Sequence, residues 1–278
     1  MRLFFNCSVK FVVMKTIIQK YLIDTNFWVS FCFGCLLAFF QLSFYELNFY
    51  VLGIVFFGTL AVYNFTRMSD LKELYTFKPE TGTRVILTYI GLIFTLGFVI
   101  LRGFELKTFL YLSVLGFVSF CYSLPFSGLG LRAIPFLKLF LIAFVWAGSS
   151  VGLLLVVHHE LIHHKMIFTA VFLFVAGITI PFDIRDQNTD DKELKTIPMV
   201  IGFRNSKILA IVFLLLSAFF FFWELKEIDK TVISWFCAII FSLGGIINTK
   251  SSNSTFYFSF WMESCSLIPL IAWLLFSI

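Results

Sequence analysis

Charge is what this chain has least of. Asp, Glu, Lys and Arg make up 13% of its 278 residues and hydrophobic residues 60%, whereas soluble domains are about 25% charged. That scarcity excludes a water-soluble globule. A small-residue cleavage site is also missing after the basic, partly apolar stretch from Met1 to Lys20, so no cleavable secretory signal is read there. Residues 1–25 read as a cytoplasmic N-terminal segment, explained either by a true start at Met14 or by an amphipathic stretch on the membrane surface. The net charge of +5 reports orientation in such a chain rather than nucleic-acid binding. Cysteine gives no framework either. Cys32-Phe-Gly-Cys35 has redox spacing, but it lies within a predicted span, where a free Cys is ordinarily a small buried apolar residue. The 40 Phe residues are what AT-rich coding favours, and they carry no binding argument.

What is present is a series of apolar runs long enough to cross a bilayer, separated by short polar islands. Nine spanning helices are expected, at about 26–44, 48–66, 85–102, 106–124, 134–157, 164–183, 205–223, 229–247 and 257–277. Residues 26–278 thus form one all-α integral membrane domain. Of the 21 Lys and Arg residues, all but Arg102, Lys107, Lys165, Lys226 and Lys230 fall on the side of the N-terminus. The asymmetry predicts that this side is cytoplasmic in a cell (inner) membrane.

The richest polar island is Asp183-Ile-Arg-Asp186-Gln-Asn-Thr-Asp190, at the inner end of the sixth predicted helix. At about 100° per residue the three carboxylates fall within an arc of roughly 60°. Three negative charges on one face repel unless a cation joins them. Mg²⁺ takes one or two carboxylates, keeps waters and fills its remaining positions with phosphate oxygens. The spacing therefore predicts a Mg²⁺–phosphate site; a solvated loop balanced by Arg185, Lys192 and Lys195 is the plain alternative. The second predicted helix ends in Tyr63-Asn64-Phe65-Thr66-Arg67. It runs parallel to the sixth, so the two polar ends can face each other across a cavity.

On these residues the chain resembles the UbiA superfamily of intramembrane prenyltransferases. Asp183, Asp186, Asp190, Lys195, Thr196, Pro198 and Gly202 match that family's second Asp-rich motif in register. Tyr122 and Ser123 through Arg132, Lys138 and Trp146 resemble its segment from helix 4 into helix 5. The resemblance implies nine helices around a central lateral cavity and Mg²⁺ as cofactor. It implies an isoprenyl diphosphate and a hydrophobic acceptor as substrates within the lipid bilayer, with no role for nucleic acid. Asp183, Asp186 and Asp190 would hold metal. Asp183, Asp186 and Asn64 would be catalytic. Arg67, Lys72, Arg132, Lys138 and Lys195 would contact phosphate. The family's first motif is degenerate here: Asn64 is present, but Phe65, Met68 and Lys72 replace its three carboxylates. Either basic residues take over that role, or the chain binds isoprenoid phosphates without turning them over.

Two rival readings come from other classes. His159-Glu160-Leu161-Ile162-His163 spells a zinc protease motif, which needs both His on one helix face. It falls between two predicted spans. A continuous helix through both would be about 75 Å long, so a turn is expected there instead. A transporter lined by Asn64 and Asp183 is the other alternative. Glu263, inside the last predicted helix, is a buried-acid candidate that either points into the cavity or pairs with a neighbour.

Overall fold

A computed structural model describes residues 14–68, 82–123, 134, 136–160, 164–187 and 195–278. Lys72, Arg132, Asp190 and His163 lie outside them. The described residues are helical and contain no strand. The helices are α1 Phe27–Phe44, α2 Phe49–Thr66, α3 Gly82–Arg102, α4 Leu106–Ser123, α5 Leu137–Val157, α6 Lys165–Asp186, α7 Ile197–Leu225 and α8 Lys230–Asn248. A final run, α9, is made of Tyr257–Met262 and Ile268–Leu275 with a turn between them. Each expected span has a helical counterpart. Seven are long and apolar enough to cross a membrane; α4 is shorter and α9 is interrupted. The protein is a multi-pass membrane protein.

Two boundaries and one helix interior differ from expectation, each for a local reason. α6 runs on to Asp186 rather than stopping at 183, through Pro181 within its last turns. Proline removes one backbone donor, yet the helix continues, so Asp183 and Asp186 share one continuous face. α7 starts at Ile197, with Pro198 in its first turn, and is broken at Gly202, where φ is +80°. Only glycine adopts that conformation freely, and the expected start at 205 lies just beyond the break. α5 passes through a π turn at Gly148–Gly152, where Ser150 Oγ donates to the Trp146 carbonyl at 2.7 Å.

The helices pack in a ring. α2 lies against α1, α3 and α4; α4 leads to α5; α5, α6, α7 and α8 follow in order; α9 packs on both α8 and α1. α1, α5 and α6 are the most enclosed, and α3 presents most of its apolar surface outward, as a lipid-facing helix would. Because lipid tails offer no hydrophobic drive between helices, close packing and hydrogen bonds hold them together. Trp235 of α8 is fully buried against Phe221 and Phe174, with ring centroids at 4.7 and 4.9 Å. Its Nε1 donates to Ser217 Oγ, which donates to the Ala170 carbonyl, so α8, α7 and α6 are linked.

Gly91 sets the tightest approach between α2 and α3. A Cβ there would lie 2.7 Å from the Phe57 carbonyl oxygen and 2.8 Å from the Ala61 backbone nitrogen. Neither atom can swing aside. Gly91→Ala is therefore expected to push α3 off α2 and lower stability by about 1–3 kcal/mol, read as a reduced thermal midpoint in detergent. An unchanged midpoint would mean the two helices are not this close.

Candidate active site

The C-terminal ends of α2 and α6 line one cavity of about 230 Å³, together with parts of α1, α4, α5 and α9. Helical period selects the side chains. Val175, Ile178, Thr179, Phe182, Asp183 and Asp186 all line it from α6, at spacings of three and four residues that keep them on one face. Lys138, Ile142 and Trp146 line it from α5 at intervals of four. Tyr63, Thr66 and Arg67 come from α2, and Ser259 and Glu263 from α9.

Six charged groups share this space, three of each sign. Lys138 Nζ meets Asp183 Oδ1 at 2.8 Å, with both side chains largely enclosed. Arg185 grips Asp186 with two bonds, Nε to Oδ1 at 2.6 Å and an Nη to Oδ2 at 2.8 Å. Its guanidinium also lies 5.4 Å from the Phe182 ring and 5.7 Å from the Phe258 ring, within cation–π range. Arg67 and Glu263 make no direct ion pair among the described residues. The structure thus brings together Asp183, Asp186, Lys138 and Arg67 of the residues singled out in the sequence.

Others sit elsewhere. Asn64 is fully buried and is not in the cavity wall. Its Oδ1 accepts from Asn26 Nδ2 at 3.0 Å, and its Nδ2 donates to the carbonyls of Thr25 and Leu60. Both ends of the amide are engaged in tying α2 to the turn before α1. Lys195 is exposed, with φ at +41°, outside the wall. Phe65 stacks on Phe120 of α4 at 5.4 Å and Met68 is buried, so two first-motif positions serve packing. Asn26, Trp28, Thr179 and Ser259 also line the cavity and were not singled out from the sequence. For Thr179 and Ser259 a clue existed, since each lies four residues before a cavity acid.

Among the described residues no cluster of three or more His, Cys, Asp or Glu is close enough to hold a metal. Asp183 and Asp186 remain a pair of hard oxygen donors on one wall. Two apolar compartments adjoin, of about 120 and 160 Å³, and both share Tyr63 and Trp146 with the charged cavity. The ring of Trp146 is fixed by stacking on Phe33 at 4.2 Å.

Of the zinc-protease spelling, the described residues His159 and Glu160 are not helical. The chain turns at His158 and His159, and His159 has φ of +60°. Glu160 accepts from the Tyr45 hydroxyl at 2.6 Å, and His158 stacks on Tyr45 at 3.9 Å. Burial pushes the Tyr45 hydroxyl up, and the bond to Glu160 adds to the shift. His159 approaches Glu105, and His164 approaches Glu224. These contacts anchor the described residues that flank the expected turn between α5 and α6.

No protein-family model and no curated protein matches the chain. Two solved structures are similar over nearly its full length. One is a UbiA homolog from Archaeoglobus fulgidus bound to Cd²⁺, at 15% identity and TM-score 0.58, covering 90% of this chain and 96% of that one. The other is a structure of a UbiA homolog from the same organism, at 17% identity and TM-score 0.58, covering 95% and 100%. The resemblance carried by a few residues near the end of α6 thus extends to the architecture as a whole: this chain has the fold of a UbiA homolog.

Proposed function

We propose that the protein is an intramembrane prenyltransferase of the UbiA type. It transfers an isoprenyl group from an isoprenyl diphosphate to an aromatic or otherwise lipid-soluble acceptor. The observation that carries this reading is the join of two environments: a charged cavity at the C-terminal ends of α2 and α6 opens beside apolar compartments across Tyr63 and Trp146. An amphiphile with a highly charged head and a long apolar tail fits that division.

Asp183 and Asp186 suit Mg²⁺, which needs only one or two carboxylates when phosphate completes its shell. Asp190 belongs to the same proposed set by its spacing. The Cd²⁺ in the similar archaeal structure supports a divalent cation in this fold. Mg²⁺ bound there would neutralise charge on the departing diphosphate. Lys138 and Arg185, now held by the two carboxylates, are placed to turn to phosphate oxygens once those carboxylates have another cation. Arg67 adds a positive group from the α2 side, where the family's first motif would place acids; Lys72, Arg132 and Lys195 are further phosphate candidates. Phe182 and Trp146 present aromatic faces to an allylic cation, and the enclosing apolar helices keep water from it. The basic residues favour a cytoplasmic N-terminus and cytoplasmic site in a cell membrane.

The loss of first-motif acids at Phe65 and Met68 favours one second reading, a protein that binds isoprenoid phosphates without turnover. Incubating purified protein with labelled isoprenyl diphosphates, Mg²⁺ and a membrane lipid extract separates the two. Transfer gives pyrophosphate and a new labelled lipid. Mg²⁺-dependent retention without either product establishes the second reading, and no retention removes both.

A further inference from the structure

Glu263 stands apart from the other acids of the cavity. It continues the helical first piece of α9, just before the turn at 265–267, and lines the charged cavity. Asp183 has Lys138 and Asp186 has Arg185 in direct contact. Glu263 has no hydrogen bond to its carboxylate and no ion pair within 4.0 Å among the described residues. The cationic charges acting on it are those of Arg67 and Arg185, at longer range. Its backbone is well anchored. Its carbonyl accepts from Ser266 Oγ at 2.7 Å. One turn earlier, Phe260 stacks on Trp28 of α1 at 4.6 Å and accepts from Trp28 Nε1. A carboxylate kept at membrane depth without a hydrogen-bond donor is costly. An incoming ligand is the natural source of that donor.

The sign of the charge selects the ligand. A diphosphate is drawn to Lys138, Arg185 and Arg67 and repelled by Glu263. A neutral acceptor bearing an O–H group is attracted to a carboxylate that has an acceptor lone pair to spare. We infer that Glu263 binds the acceptor hydroxyl and serves as the general base of prenyl transfer. This rests on the prenyltransferase reading above. In the step, the C–O bond between the allylic carbon and diphosphate breaks, and its electron pair leaves with diphosphate. An electron pair of the acceptor forms the new bond to that carbon. The acceptor's O–H proton passes to Glu263 and then to solvent, which regenerates the carboxylate.

The test compares wild type, Glu263→Gln and Glu263→Asp in lipid nanodiscs. Each is assayed for Mg²⁺-dependent binding of geranylgeranyl diphosphate. Each is then incubated with tritiated farnesyl or geranylgeranyl diphosphate and a total lipid extract of the host membranes. Glu263→Gln should bind diphosphate within about twofold of wild type, since the glutamine keeps shape and removes only the base. Its labelled-lipid product should fall by about 10²–10⁴-fold, the usual worth of a general base. Glu263→Asp restores a base and should recover part of the loss. Undiminished product from Glu263→Gln overturns the assignment and leaves prenyl transfer standing. Loss of diphosphate binding in that variant also overturns it, because Glu263 would then act on the donor. If wild type yields no labelled lipid from either diphosphate, the prenyltransferase reading falls and this one with it.

Discussion

Asp183→Ala is expected to abolish Mg²⁺-dependent binding of an isoprenyl diphosphate. The variant should also be much less stable, and the two effects have separate causes. Asp183 is 2% exposed and meets Lys138 at 2.8 Å. Removing one partner of a buried ion pair leaves the other charge uncompensated, at a cost of about 3–5 kcal/mol. A loss of binding in Asp183→Ala alone would therefore be ambiguous. The double variant Asp183→Ala with Lys138→Met separates folding from binding by the pair, since replacing both partners by apolar groups is often neutral, and Lys138→Met alone shows how much of the binding belongs to the lysine. Its thermal midpoint should return close to that of wild type, while diphosphate binding stays at background. Normal Mg²⁺-dependent binding by the folded double variant would remove Asp183 from the metal site. Asp186→Ala should lose binding with a smaller change in stability, because Arg185 is less enclosed than Lys138 and can reach solvent.

Asn64→Leu is expected to lower the thermal midpoint through the N-terminal half of the ring. Leucine fills a similar volume but leaves Asn26 Nδ2 and the Thr25 carbonyl without their partner. Each buried group left unsatisfied costs about 1–3 kcal/mol. Asn64→Asp is informative beside it. Its carboxylate still accepts from Asn26 but cannot donate to the Thr25 and Leu60 carbonyls, so it should rescue little. If Asn64 acts only by positioning α2, the folded fraction of either variant binds diphosphate with unchanged Mg²⁺ dependence. A shift in that dependence at equal folded protein would instead place the amide in the chemistry.

The resemblance to prenyltransferases rested on carboxylate spacing near the end of α6, and the reason it was visible is geometric. Asp183 and Asp186 share a helix face whatever surrounds them, so their convergence can be read from two numbers. Asn64 shows the opposite. Its place near a helix end made it look available, but availability depends on what its amide already bonds, and Asn26 and Thr25 are 38 and 39 residues away in the chain. Helix limits follow the same division. The break at Gly202 and the run of α6 through Pro181 fall at residues whose type alone allows either a continued or an interrupted helix. The interruption within α9 does carry a mark, since Pro269 stands in the first turn of its second piece.

By itself the sequence determined that this is a helical membrane protein with a cluster of acids at one helix end. Composition and the 3.6-residue period are local quantities that need no knowledge of neighbours. Only the tertiary structure decided that Lys138 neutralises Asp183, that both amide ends of Asn64 are engaged, and that Glu263 faces the same cavity with no direct partner among the described residues. These are relations between helices far apart in the chain. Their rotation and tilt are set by close contacts such as Gly91 on Phe57 and Trp28 on Phe260, which no single helix encodes.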